Sequence, residues 1–115
     1  HRCYYRLLKP HQRKIKGLAH ITGGGIPGNL PRILPSTVVA RVYRKAWDVP
    51  SLFRLIQEKG DVAEEEMYRV FNMGIGMIIV SRSRDVEELL SELPGSIVIG
   101  EVSDKREASS SFQFE

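Results

Sequence analysis

The sequence predicts an α+β fold in which helices pack on a mixed β-sheet of about four or five strands. Short β-branched or uniformly apolar runs are typical of strands, amphipathic runs are typical of helices, and glycine or proline separates them. At 115 residues the chain is long enough to bury a hydrophobic core, and no linker or repeat divides it. We therefore expect a single domain.

In the first part of the chain, two predicted strands flank a glycine-rich loop. Residues 5–12 have a helical spacing of apolar side chains that a proline interrupts. Residues 16–21 are predicted to form a strand, and the loop at 22–28 leads into one or two helical turns at 29–34. The β-branched run 38–43 predicts the second strand.

Three helices are predicted in the second part, at residues 51–59, 63–70 and 85–93. The first is amphipathic, and Gly60 suits the position just after its end, where a left-handed backbone is common. The second carries carboxylates in its first turn, where they stabilise the positive end of the helix dipole, and Asp61 is its candidate N-cap.

Two further strands alternate with these helices. Residues 76–80 are uniformly apolar, which is typical of a central strand covered on both faces, and residues 96–102 are predicted to form the last strand. We expect residues 1–102 to form the domain and residues 103–115 a polar, loosely held tail. Two alternating phenylalanines in that tail favour a short edge strand.

Charge argues against one class of partner. The net charge is +3, the isoelectric point is about 9.2, and the first basic residues meet no carboxylate before Asp48: Arg2, Arg6, Lys9, Arg13, Lys14 and Lys16. Such a run fits either an anionic partner or a solvated helix face. Tyr4 and Tyr5 lie near the start of the run, but no tyrosine, phenylalanine or tryptophan interleaves it from Arg6 to Lys16 to form a base-stacking surface, so we expect no specific nucleic-acid partner.

The rare residues and the apolar runs set further limits. Cys3 is the only cysteine, so an internal disulfide and a cysteine-based zinc site are excluded, and we expect a buried or half-buried strand residue there. The histidines His1, His11 and His20 share no metal-ligand spacing. No apolar run approaches the roughly 20 residues that span a bilayer, and no signal peptide is recognisable. We expect a cytoplasmic protein without a membrane partner.

The glycine-rich loop is the strongest candidate for a binding site. It reads HITGGG from His20 to Gly25, and three successive glycines leave three backbone N–H groups unobstructed, as in anion-binding nests. The following helix would direct its positive end to the same place, while Thr22 adds a hydroxyl and His20 a titratable ring. The pattern matches neither common phosphate-loop fingerprint, so a flexible turn and a structural histidine remain alternatives.

A second glycine motif, FNMGIG, begins at Phe71 and ends at Gly76. Glycines two residues apart at the start of a strand let another backbone or a ligand approach closely. Asn72 is either the C-cap of the preceding helix or a side chain that reaches into a site. Met73 and Met77 favour core packing.

Together the two motifs resemble the aminoimidazole ribonucleotide synthetase (phosphoribosylformylglycinamidine cyclo-ligase) family. The strings AHITGGG at 19–25 and NLPRILP at 29–35 look like its glycine-loop signature, and EMYRVFNMGIGM at 66–77 is similar to its second signature. The similarity runs from the first residue to about Val102. Departures are small, such as Val70 where the family usually has threonine.

This resemblance implies a ligase of purine biosynthesis that uses ATP and Mg²⁺ to close the imidazole ring of formylglycinamidine ribonucleotide, giving aminoimidazole ribonucleotide, ADP and phosphate. It also implies the fold of that family's C-terminal domain, truncated here at its N-terminal edge. An N-terminal ATP-binding domain, absent from this chain, would hold most ATP and Mg²⁺ ligands, and the full-length enzyme would be a cytoplasmic homodimer. The chain alone is expected to be inactive.

The same resemblance assigns site residues. It implies substrate or phosphate binding by Thr22, Gly23, Gly24, Gly25 and Asn72, with His20 and Asn72 as candidate catalytic residues. Two alternatives stay open at this stage. One is another ATP-using enzyme of the same superfamily, although the intact TGGG and FNMGIG strings favour the cyclo-ligase. The other is a non-catalytic basic module that binds anions or nucleic acid, with an affinity that falls steeply with salt.

Overall fold

A computed structural model of the chain describes residues 4–105 and 111–115, and it confirms the α+β class. Five α-helices are described: α1 (Tyr5–Leu8), α2 (Gly25–Asn29), α3 (Ser51–Gly60), α4 (Glu64–Val70) and α5 (Val86–Glu92). The described strands are β1 (Ile15–His20), β2 (Val38–Val42), β3 (Met77–Ser81), β4 (Gly100–Asp104) and β5 (Phe112–Phe114). Short 3₁₀ helices lie at Lys9–Lys14, Leu30–Ile33, Arg44–Ala46 and Ser83–Asp85.

The described strands form two sheets, where one mixed sheet of about four or five strands was predicted. In one, β1 pairs antiparallel with β3; in the other, β2 lies between antiparallel β4 and parallel β5, so this second sheet is mixed. The two phenylalanines of the tail do form the expected edge strand. Cys3, for which a strand position was predicted, lies outside the described residues.

The prediction that residues 76–80 form a central strand is wrong within the described ranges. Strand β3 has one strand neighbour, and its other edge borders an open groove of about 650 Å³ between the two sheets. Its faces are nevertheless both covered. Ile78 packs in the cluster that contains Ala19 and Ile26, whereas Met77 and Ile79 pack against Leu89 and its neighbours. The uniform apolar run therefore reflects the burial of two faces, not pairing at two edges.

The last predicted strand also begins later than expected. Residues 96–99 form no strand, and β4 begins at Gly100. Ile97 and Val98 line the groove and are 50% and 55% exposed. The N–H of Tyr43 still donates to the carbonyl of Ile99 at 2.8 Å, which leads the chain into the sheet.

Two predictions about the end of α3 are wrong: Gly60 does not follow the helix, and Asp61 does not cap the next one. Gly60 is the last helical residue, and Asp61 takes the left-handed conformation with φ 50° and ψ 46°. The N–H of Val62 donates to the Gln57 carbonyl at 3.0 Å and that of Asp61 to the Glu58 carbonyl at 3.4 Å, which is a Schellman motif. Asp61 therefore terminates α3 instead of capping α4, because a short polar side chain tolerates this backbone region.

The helical turns after the glycine loop start earlier than predicted. Helix α2 begins at Gly25, has five residues, and passes into the 3₁₀ helix at Leu30, next to Pro31. The cluster that contains Ala19, Ile26, Leu30 and Ile78, here called the main core, fixes this segment, since Ile26 and Leu30 are only 1% and 3% exposed. A helix this short adds little dipole to the loop, so the predicted helix contribution to anion binding is not supported.

Candidate functional site

The two glycine motifs meet at one end of the β1–β3 sheet. Strand β1 ends at His20, which is in register with Met77, the first residue of β3. The N–H of Ile21 donates to the carbonyl of Gly76 at 3.0 Å and extends this pairing by one step. The loop that leaves β1 at Thr22 and the turn that enters β3 are therefore neighbours, although about fifty residues separate them in sequence.

Within the first loop, the three glycine amides are not equivalent. Gly24 and Gly25 have φ values of 99° and 63°, which favour glycine. The N–H of Gly25 donates to the carbonyl of Thr22 at 3.0 Å and closes a turn. Among the residues that the structure describes, the N–H groups of Gly23 and Gly24 have no hydrogen-bond acceptor. Two of the three predicted anion donors thus remain for a ligand.

The third glycine also has a packing role. A Cβ atom at Gly25 would overlap the carbonyl oxygen of Tyr68 and lie 2.9 Å from that of Phe71. Helix α2 can approach the C-terminal end of α4 only because this position has no side chain. The contact brings the loop next to Asn72, which follows Phe71 directly.

Asn29 organises the loop, a role that the sequence pattern did not reveal. Its side chain is buried at 8% exposure. Its Nδ2 donates to the carbonyl of Gly25 at 2.7 Å and to those of Thr22 and Gly23 at 3.3 Å each. Its Oδ1 accepts from the Thr22 hydroxyl at 3.3 Å. The available signal was an asparagine just after a glycine loop, a residue type that often bonds to backbone groups.

Asn72 stabilises the second turn, not the end of α4. The C-cap of α4 is Phe71, whereas the Asn72 Oδ1 accepts from the N–H of Gly74 at 2.9 Å. The C-cap interpretation is therefore wrong. In the described parts of the chain the NH₂ group of Asn72 has no acceptor, so it can donate to a ligand.

Strain accompanies this turn. Met73 is a non-glycine residue with φ 55°, and its side chain is 3% exposed in the cluster around Met67, which confirms the predicted core role. Its carbonyl accepts from the Trp47 indole N–H at 3.0 Å. A left-handed backbone at such a residue costs roughly 1–2 kcal/mol and persists only where the surroundings impose it. Core packing and the indole hydrogen bond fix the shape of the turn.

Two rings border the same end of the sheet. His20 is exposed at the end of β1, and its ring lies edge-on to that of Tyr4 with centroids 6.5 Å apart. A Cβ atom at Gly76 would overlap the Tyr4 hydroxyl, so this glycine gives the tyrosine room. Tyr4 was not predicted. Nothing in the sequence links it to the two motifs before the strands are paired.

Tyr68, on the part of α4 that Gly25 packs against, is buried and uncharged. Its side chain is 5% exposed, and its burial, with a smaller contribution from the nearby Glu64 carboxylate, raises the pKa of its hydroxyl above the ordinary value.

The charged groups of α4 lie on the surface. Glu64 lies 3.8 Å from Arg44, and Glu66 lies 2.7 Å from Arg69. Across residues 4–105 and 111–115 there is no group of three or more histidine, cysteine or acidic residues able to hold a metal.

Part of the basic N-terminal run fastens the chain to α5. Lys14 forms an ion pair with Glu88 and lies 4.0 Å from Glu92, and His11 Nδ1 lies 3.0 Å from the same Glu92 carboxylate. The hydrogen bond to Glu88 raises the pKa of Lys14. These contacts favour a packing role for this part of the run over an anion-binding one. None of the described helices has the length and apolarity to cross a bilayer.

Comparison with known proteins adds an independent observation. The sequence profile described as AIR synthase related protein, C-terminal domain, matches residues 1–112. The phosphoribosylformylglycinamidine cyclo-ligase of Thermoanaerobacter sp. (strain X514) is 50% identical over 93 residues, which are 77% of this chain and 28% of the relative.

Two further relatives carry the same name. The protein of Desulfitobacterium hafniense (strain DSM 10664 / DCB-2) is 44% identical over 115 residues, 95% of this chain and 34% of its own length. That of Trichlorobacter lovleyi is 50% identical over 105 residues, 88% of this chain and 30% of its own length. The chain therefore spans about a third of the length of these curated relatives.

Proposed function

The chain belongs to the family of AIR synthase related proteins, as their C-terminal domain, and from this premise we propose that it is the C-terminal part of an ATP-dependent phosphoribosylformylglycinamidine cyclo-ligase. In this role it supplies the substrate-side wall of a site that closes the imidazole ring of formylglycinamidine ribonucleotide. The product is aminoimidazole ribonucleotide. The observation that carries the proposal is the meeting of both glycine motifs at one end of the β1–β3 sheet.

The site offers hydrogen-bond donors to an anionic substrate. The N–H groups of Gly23 and Gly24 are available for phosphate oxygens, and the exposed Gly23 has open space around it. Asn72 offers its NH₂ group from the neighbouring turn. Fixed donors of this kind orient a substrate and stabilise negative charge without reorganising during the reaction. His20, exposed on the same edge, is the candidate for proton transfer.

Among the described residues no group of three or more histidine, cysteine or acidic side chains could hold a metal by itself. Mg²⁺ at phosphate-transfer sites is commonly held by one or two carboxylates together with the substrate phosphates. We assign ATP and Mg²⁺ mainly to a domain outside this chain. The proposal further includes a cytoplasmic, homodimeric full-length enzyme, with the ATP-binding domain as the partner of this chain.

A chimeric enzyme tests this proposal. The segment of the Desulfitobacterium hafniense cyclo-ligase that matches this chain is replaced by the chain itself, and formation of aminoimidazole ribonucleotide is measured with ATP, Mg²⁺ and formylglycinamidine ribonucleotide. We expect ring closure by the chimera and none by the chain alone. A folded chimera that binds ATP but forms no product would contradict the proposal, and so would ADP release by the isolated chain.

A further inference from the structure

We infer that Asn29 is a positioning residue for the phosphate-binding loop, an inference that rests on the function proposed above. The side chain is 8% exposed, and within residues 4–105 and 111–115 it makes four hydrogen bonds, all of them to the loop. Three use its NH₂ group, which is shared among the carbonyl oxygens of Thr22, Gly23 and Gly25. A buried amide is satisfied only while these carbonyls face it, so Asn29 selects one conformation of the loop.

This conformation suits an anion. Carbonyl oxygens repel a phosphate, whereas backbone N–H groups attract it. Asn29 holds three carbonyls against its own amide, and Gly23 and Gly24 keep N–H groups that have no acceptor among the described residues. The Thr22 hydroxyl, which donates to Asn29 Oδ1 at 3.3 Å, is fixed by the same side chain. Asn29 thus acts through the loop, without touching the ligand.

If Asn29 had a purely structural role, a different result would be expected. Asn29 lies between Ile26 and Leu30, both of which are buried in the main core. If Asn29 only supported this core, its replacement would disturb the core and the loop together. In a positioning role, the core keeps its structure while the loop loses its conformation and its affinity.

The test uses the ¹⁵N- and methyl-labelled chain, titrated with aminoimidazole ribonucleotide and followed by NMR. Asn29→Asp keeps the size of the side chain but removes the NH₂ donors. Asn29→Ser is neutral and retains one hydroxyl donor, so it carries the test if the aspartate variant does not fold. Gln12→Glu adds the same charge as Asn29→Asp at an exposed position outside the loop. We expect both Asn29 variants to bind at least tenfold more weakly, with unchanged methyl shifts of Ile26 and Leu30, and Gln12→Glu to stay within twofold of the wild type.

The outcomes separate this inference from the proposed function. Wild-type affinity of Asn29→Ser, with unchanged amide shifts at Gly23 and Gly24, would overturn the positioning role and leave the proposed function intact. If the wild-type chain itself does not bind the ribonucleotide, the proposed substrate site is contradicted. The spectra without ligand then test the positioning role of Asn29. Loop amides that shift while the core methyls do not then support the positioning role; loop amides that do not shift, or that shift together with the core, overturn it.

Discussion

At the scale of single residues, the three glycines of the loop differ in what a side chain would meet. A Cβ atom at Gly25 would overlap the Tyr68 carbonyl, whereas nothing lies within 4 Å of one at Gly23. We therefore expect Gly25→Ala to lower the free energy of unfolding by about 3 kcal/mol or more, because backbone atoms of α4 must move. Gly23→Ala is the matched control and should stay within about 0.5 kcal/mol of the wild type. Urea denaturation measures both, and equal losses would contradict the described approach of α2 to α4.

Residue identity pointed to part of the candidate site, whose binding role stays a prediction. The string TGGG pointed to Thr22, Gly23 and Gly24, because successive glycines expose backbone amides. The same string did not show that Gly25 uses its N–H within the loop. Nor did it identify Asn29, whose role depends on three carbonyls that only the folded loop turns towards it. Contacts between residues on different turns are set by tertiary structure, which local patterns do not contain.

At the scale of elements, helix α3 offers a test of its C-terminus. Asp61 occupies the left-handed position of the Schellman motif, where glycine is favoured. We expect Asp61→Gly to raise the free energy of unfolding by about 0.5–1 kcal/mol, because the strain on a residue with a Cβ atom is removed. In the middle of the same helix, Arg54→Gly should cost about 1 kcal/mol. Thermal or chemical denaturation measures both changes in the free energy of unfolding. Destabilisation by Asp61→Gly would contradict the left-handed C-terminus of α3 at this residue.

Hydrophobic patterning located most elements to within a residue or two, but it did not determine how the strands pair. The apolar run that became β3 was correctly predicted to be covered on both faces. Its pairing with β1 alone among the described strands could not be predicted, because an apolar side chain reports the burial of a face and not the hydrogen bonds at an edge. The same limit applies to residues 96–99, which have the composition of a strand but border the groove.

At the scale of the whole molecule, the pairing of β1 with β3 creates the candidate site. Two loops that are remote in sequence meet because antiparallel strands place the end of one beside the start of the other. The resemblance to a family supplied the proposed reaction, and residues 1–112 match the profile of that family. Composition and charge alone left an anion-binding module open. The ion pairs of Lys14, one member of the basic run, with Glu88 and Glu92 of α5 weaken that alternative.

The most direct test of the central claim is an amide NMR titration of the chain with aminoimidazole ribonucleotide, with a short oligonucleotide as the control. The proposed site predicts saturable shifts of the Gly23 and Gly24 amides and of the Asn72 side chain, and no saturable response to the oligonucleotide. Shifts with the oligonucleotide across the basic residues of α1 and the Lys9–Lys14 segment, and none with the ribonucleotide, would contradict the assignment of this end of the sheet as the substrate site.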